Sequence, residues 1–177
     1  MTYEESTKAY SNYIDEHRAN VEAIWRHLEP LCIDTFWLDD CSRVTLDCLI
    51  KNHDMSKSSE DEFYGYQQFF YTADDQVKSE ESFKYAWNHH QKHNRHHWEY
   101  WVMADGTVLP MTGVYMLEML CDWGAMSLKF GNLPSDFYKQ NQHNITLHGN
   151  TQRGVENWLP LIDRAVRAAK EARGESI

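Results

Sequence analysis

Cysteine, basic charge and long apolar runs are all in short supply here. The four cysteines, Cys32, Cys41, Cys48 and Cys121, form no C-x-x-C pair. A chain of 177 residues can bury a core without disulfides, so they read as buried, reduced thiols in a reducing compartment. The N-terminus, MTYEESTKAY, is acidic and has no apolar h-region, so no signal peptide is expected. No run approaches the ~18 consecutive apolar residues of a membrane span. Basic residues are outnumbered, 17 against 27 acidic ones, for a formal net charge of −10. So acidic a chain lacks the broad positive footprint that long nucleic acid or an anionic membrane requires, though a small nucleotide is still allowed as a substrate. Repeats and low-complexity linkers are also missing. Together these absences predict one cytoplasmic domain spanning 1–177.

What is present is apolar content at helical spacing. Hydrophobic residues make up 42% and aromatics 14%, enough to fold. The first helix is expected over about 3–28, with Tyr10, Ile14, His17, Val21, Ile24, Trp25 and Leu28 on one stripe. A second, about 35–52, presents Cys41, Val44, Cys48 and Leu49, and its next inward position is His53. Ser59 and Glu62 suggest a capping box for a third helix through Phe63, Tyr66 and Phe70. Ser79 is the candidate N-cap of a fourth, and Asp105-Gly106 a turn. A fifth, about 111–130, stacks Val114, Leu117, Cys121, Ala125 and Leu128 and stops at Gly131. The last, about 151–173, carries Val155, Trp158, Ile162, Val166 and Ala169, with a kink or restart at Pro160. The fold class is all-α, a compact helical bundle.

The most unusual stretch is NHHQKHNRHHWEYW, residues 88–101. His89, His90, His93, His96 and His97 occupy nine positions. With no glycine or proline between 66 and 105, the helix here reads as continuous. At about 100° per residue, Phe83, Trp87, His90, Asn94, His97 and Trp101 then share one face. His90 and His97 are therefore expected inside, His89 and His96 on the opposite face, and His93 on the flank.

NHDMSK, residues 52–57, is the second signal. Adjacent His53 and Asp54 at a helix end can reach one metal or bridge two, since imidazole and carboxylate suit zinc, iron and manganese. Lys57, one turn on, can neutralise a phosphate oxygen beside that metal. On the fifth helix Glu118 and Asp122 are four apart at the border of the apolar stripe. An acid beside a buried face is costly unless it is paired or metal-bound.

The order His17, His53-Asp54 with Lys57, later histidines, then Asp122 resembles the HD-domain superfamily of metal-dependent phosphohydrolases, an all-helical family whose H…HD…D signature chelates a divalent metal. HDMSK is similar to that family's HD-x-x-K. NHHQKHN and CDWGAMS resemble the paired histidines and the aspartate helix of its HD-GYP branch, although no G-Y-P follows. HHWEYW and EMLCDWGAMS also resemble a family known only as a domain of unknown function. The HD resemblance implies that His17, His53, Asp54 and Asp122 hold a first metal. His90 and His97 would complete a second site, with Asp54 bridging. One or two divalent ions (Mn, Fe, Zn or Mg) would then act on a small phosphorylated substrate, a nucleotide or related metabolite. Lys57 would offset phosphate charge, and Glu118 would transfer a proton or support a ligand from behind.

Two other readings use the same residues. Some HD proteins, myo-inositol oxygenase among them, hold two irons on six comparable ligands, which makes a di-iron oxygenase the rival reaction. A non-catalytic module would close its metal with protein ligands and offer the WEYW edge and Trp123 to a partner, although core packing is the expected use of those rings. HNRHH also fits the H-x-x-H-H box of membrane di-iron desaturases, but those need membrane spans that this chain lacks. His143 and His148, in NQHNITLHGN, are candidates for a substrate phosphate or for solvent.

Overall fold

The computed structural model describes residues 1–33 and 39–175, apart from the side chain of Ile33. Helix α1 (Tyr3–Ile33) runs on past the expected end at 28, through Pro30, because Leu28 and Cys32 both stay buried against the core. Helix α2 (Asp40–Lys51) starts at Asp39, whose side chain accepts a hydrogen bond from the Ser42 N–H. The expected start of this helix near 35 lies outside the described residues. Its buried residues are Leu46 and Ile50, four apart. Cys41, Val44 and Cys48 are exposed instead, so the stripe chosen from sequence was rotated towards solvent, and only Cys32 and Cys121 are buried thiols.

Helices α3 (Glu60–Phe70) and α4 (Glu80–His93) pack side by side. Gly65 allows the close approach, since a Cβ there would meet the Ser82 carbonyl at 2.5 Å. Ser79 caps α4 by accepting from the Ser82 N–H. The capping box at Ser59 does not form: the Ser59 side chain makes no cap bond, and Glu62 turns inward to histidines instead. Continuity over 66–105 is also overturned, because helix ends at Phe70 and again at His93.

Helix α5 (Gly113–Phe130) ends at Gly131 in a left-handed conformation, φ 86°. A short helix that the sequence did not reveal, α6 (Pro134–Asn141), follows with proline in its first turn, where a missing N–H costs nothing. Helix α7 (Gly149–Ala172) continues through Pro160 without a restart. Pro160 is exposed, while Leu159 and Ile162 beside it are buried, so the ring sits on solvent and the core face is intact. The described residues form seven α-helices and no strand, only an isolated bridge between Val102 and Val108.

Two apolar clusters result. The larger joins α1, α2, α5 and α7 around Ile24, Leu28, Leu46, Leu120 and Ile162, with Trp98, Trp101 and Trp123 packed against it. Each such fully buried aliphatic side chain contributes about 1.5–3 kcal/mol. The smaller joins α1, α3 and α4 around Tyr10, Ile14, Tyr66 and Ala86. Ile14 and Val21 of α1 belong to different clusters, and His17 lies between them in sequence. The polar site occupies that seam. Among the described residues no helix is long and apolar enough to cross a membrane.

Candidate metal centre

Four segments deliver the site. α1 supplies His17, and α5 supplies Glu118 and Asp122, one turn apart. A Cβ on Gly124 would meet Ile24 at 2.9 Å, so glycine lets α1 and α5 close on each other beside these side chains. The turn after α2 supplies His53 and Asp54. Asp54 is the one non-glycine residue with positive φ among those described, 56°, a conformation that aspartate tolerates better than most side chains, for which it costs about 1–2 kcal/mol. It leads directly into a 3-10 turn, Met55–Ser58, that carries Lys57.

The fourth segment is the end of α4 and the chain beyond it. Asn94 ends the helix. Its side-chain amide donates to the His90 carbonyl at 2.8 Å and to Ser56 at 2.8 Å, the local competition with helical bonding expected of this residue type. His96 and His97 therefore lie in a turn, not on a helical wheel. His96 is 2% exposed. Its assignment to the outer face is overturned because the helix carrying that phase stops three residues earlier. His97 is also turned inward, with its ring centroid 4.7 Å from that of His90 and 4.4 Å from that of His96.

Asp54 sits at the centre. Its Oδ2 lies 3.4 Å from His17 Nε2 and 3.6 Å from His53 Nε2, while Asp122 Oδ1 is 3.1 Å and 3.8 Å from the same two nitrogens. Its Oδ1 lies 3.3 Å from His90 Nε2 and 3.4 Å from His96 Nε2. Among the described residues three groups of donor atoms could hold an ion: His17 with His53 and Asp122, the adjoining Asp54 with His90, His96 and His97, and His53 with His96 and Glu118, the last sharing its imidazoles with the first two. The Nε2 atoms of His17, His53, His96 and His97, together with Asp54 Oδ1, are buried and make no hydrogen bond. Five inward polar atoms left unpaired cost free energy in an apolar interior. Cations held by the first two groups could satisfy these atoms, and the imidazole and carboxylate donors suit a first-row divalent metal. The residues fit one ion, and with Asp54 offering one oxygen to each group, two.

Two glutamates fix the imidazoles from behind. Glu118 Oε1 accepts from Nδ1 of His53 at 3.0 Å and faces Nδ1 of His96 at 3.3 Å. Glu62 accepts from Nδ1 of His89 at 2.8 Å and of His90 at 2.7 Å. A proton on Nδ1 leaves Nε2 as the free lone pair, the arrangement that orients metal-binding histidines. Glu62 was not anticipated as a site residue. It was read as a capping residue, and only its contact with α4 reveals its role.

Charge is finely set. Burial pushes Asp54 up, but His53, Lys57 and His90 outweigh it and hold its carboxyl well below the usual range. Burial pushes Asp122 up as well, but the neighbouring His17 and His53 imidazoles outweigh it and hold it well below its ordinary value. Burial pulls His53 down, yet Asp54, Asp122 and Glu118 raise it to about 9. His97, buried beside His96 and His90, is pushed well below its ordinary value. Lys57 Nζ lies 2.6 Å from Asp54 Oδ2, which keeps it charged despite burial.

A cavity of about 500 Å³ opens onto this cluster, lined by His17, Asp54, Lys57, His90, His97 and Asp122 at its polar end. Glu118 is absent from its lining, so its place is behind the imidazoles. His93 is exposed and stacks on His89 at 3.7 Å. His143 is exposed, and His148 accepts from the Asn150 N–H to cap α7. Neither lines the cavity.

The chain matches DUF5662, a family of unknown function, over residues 6–161, and belongs to that family. No curated protein and no solved structure matches it.

Proposed function

We propose that this protein is a metal-dependent phosphohydrolase of the HD type, acting on a small phosphoester of the nucleotide or related-metabolite class. The observation that carries the reading is Lys57, a buried ammonium 2.6 Å from the central Asp54, lining the same open cavity as His17, Asp54 and His97, which carry three of the unpaired donor atoms. A divalent pair bound there would activate water and neutralise charge on the phosphoryl group. The protein's own residues do the rest. Asp54 keeps the two donor groups in one frame, and Glu62 and Glu118 hold the imidazoles in the required tautomer. Lys57 sits where it can donate to a non-bridging phosphate oxygen and stabilise the charge that builds as the reaction proceeds. The water oxygen bonds to phosphorus, the ester P–O bond breaks, and the departing alcohol takes up a proton.

The test is phosphate release from a panel of nucleotides and simple phosphoesters by tag-free protein loaded with Mn²⁺, Fe²⁺ or Zn²⁺. Lys57→Ala should lower turnover about 100-fold or more while the metal content is unchanged. The rival reading is favoured by the nitrogen-rich donor set of five imidazoles, which suits iron as well. No phosphate release from any ester, together with oxygen consumption by the iron-loaded protein, would replace hydrolase with oxygenase.

A further inference from the structure

The wall of the cavity beyond the ligands has an unusual composition. Two helices present side chains to it in columns. α1 offers Tyr13 and Tyr10 one and two turns before His17, and α5 offers Met126 and Lys129 after Asp122. Near-parallel rings lead away from the metal cluster. Tyr13 and His17 lie 6.0 Å apart at 20°, Tyr10 and Tyr13 6.2 Å at 20°, Tyr66 and Tyr10 6.2 Å at 18°, and Phe70 and Tyr66 6.4 Å at 16°. The outermost ring, Phe70, is 58% exposed, and Phe130 at the same cavity is 68% exposed. A soluble protein leaves such a surface open where a flat apolar group is to be received.

Two polar features interrupt that wall. The hydroxyls of Tyr10 and Tyr66 are buried without a hydrogen-bond partner, although both residues line the cavity and are only 1% and 6% exposed. Burial keeps both hydroxyls protonated, so two donors await an acceptor. The cations lining the cavity are Lys57 and Lys129. Lys57 is committed to Asp54, whereas Lys129 stands over the Tyr13 face at 4.0 Å. With the Asp54 and Asp122 carboxylates that line the same cavity taken up by metal, these two positive charges match one phosphate dianion.

We infer that the ligand is a single phosphate carried on a planar ring with acceptor atoms at its edge. The ring lies along the Tyr10, Tyr66 and Phe70 wall, and the phosphate sits between Lys57 and Lys129. This rests on the phosphohydrolase reading for the chemistry, but recognition can be tested apart from turnover.

Non-hydrolysable phosphonates serve as probes in calorimetric titrations of the Mn²⁺-loaded protein. Phenylphosphonate should bind about tenfold or more tightly than methylphosphonate, and 4-pyridylphosphonate about fivefold more tightly again. Tyr10→Phe with Tyr66→Phe, a change that keeps both rings, should abolish the pyridyl advantage and leave the phenyl one. Phe70→Ala, at the exposed rim, should shrink the phenyl advantage, and Lys129→Met should weaken all three. Equal affinity for methyl- and phenylphosphonate would overturn the inference. Phosphate release from phenyl phosphate and glycerol phosphate separates the two readings. If the phosphonate ranking holds with neither ester cleaved, hydrolysis fails and the ligand class stands. If glycerol phosphate is cleaved and the ranking is flat, the ligand class fails alone.

Discussion

Asp54→Ala is the perturbation for which the structure specifies the most. The carboxylate is 2% exposed, and its loss leaves Lys57, 12% exposed along its side chain, as a buried ammonium without its partner. Breaking a buried pair in this way costs about 3–5 kcal/mol. Alanine is also a poor occupant of the left-handed conformation at φ 56°, which adds about 1–2 kcal/mol. For a domain of this length each kcal/mol lowers Tm by about 2–4 °C, so the metal-free variant should melt roughly 8–28 °C below wild type. The metal response should differ more sharply. Wild type gains about 2.7 kcal/mol at a free metal concentration 100 times Kd. The variant should gain nothing, because both donor groups lose their shared carboxylate. Asp54→Asn, which tolerates positive φ, separates backbone strain from lost charge and should be metal-poor while melting higher than the alanine variant. Scanning calorimetry with and without Mn²⁺, together with metal content by mass spectrometry, reads all of this. Full metal retention in Asp54→Ala with a wild-type shift in Tm would refute the reasoning.

His96→Ala should remove metal from the Asp54 group, whereas His89→Ala should leave metal content near wild type, since the His89 Nδ1 faces Glu62; equal losses by elemental analysis would count against the placement of His96. Glu118→Gln should weaken metal affinity about 10–100-fold in a competitive chelator titration, with far-UV circular dichroism unchanged. The pH dependence follows from His53, raised to about 9. In metal-free protein its contribution to stability is complete below about pH 6.5 and is lost as pH rises through about 9, which denaturant titrations across that range will show. Metal must displace that proton, so affinity should climb over the same interval, with protons released into a weakly buffered solution.

The buried stripes of α1, α5 and α7 were legible because each carries a long apolar repeat at helical spacing, and His17 is legible for the same reason, as a polar residue in an inward register. α2 was misread in phase. Cysteine and valine look apolar in isolation, but only Leu46 and Ile50 reach the core, and no local signal distinguishes the two stripes. His53 and Asp54 were legible as a pair because the chemistry is local. His96 was not, since its direction depends on Asn94 stopping α4, a choice made by side-chain bonds to Ser56 and His90 across the fold. A helix-competing asparagine inside the histidine run was the available clue. Glu62 was hidden by its resemblance to a cap, and α6 by its shortness.

The most direct test of the central claim is anomalous diffraction from a crystal of tag-free protein soaked with Mn²⁺ or Zn²⁺. Two anomalous peaks flanking Asp54 are expected, one bounded by His17, His53 and Asp122 and the other by His90, His96 and His97. A metal bound only at His89 and His93, or no peak at Asp54 under saturating metal, would contradict it.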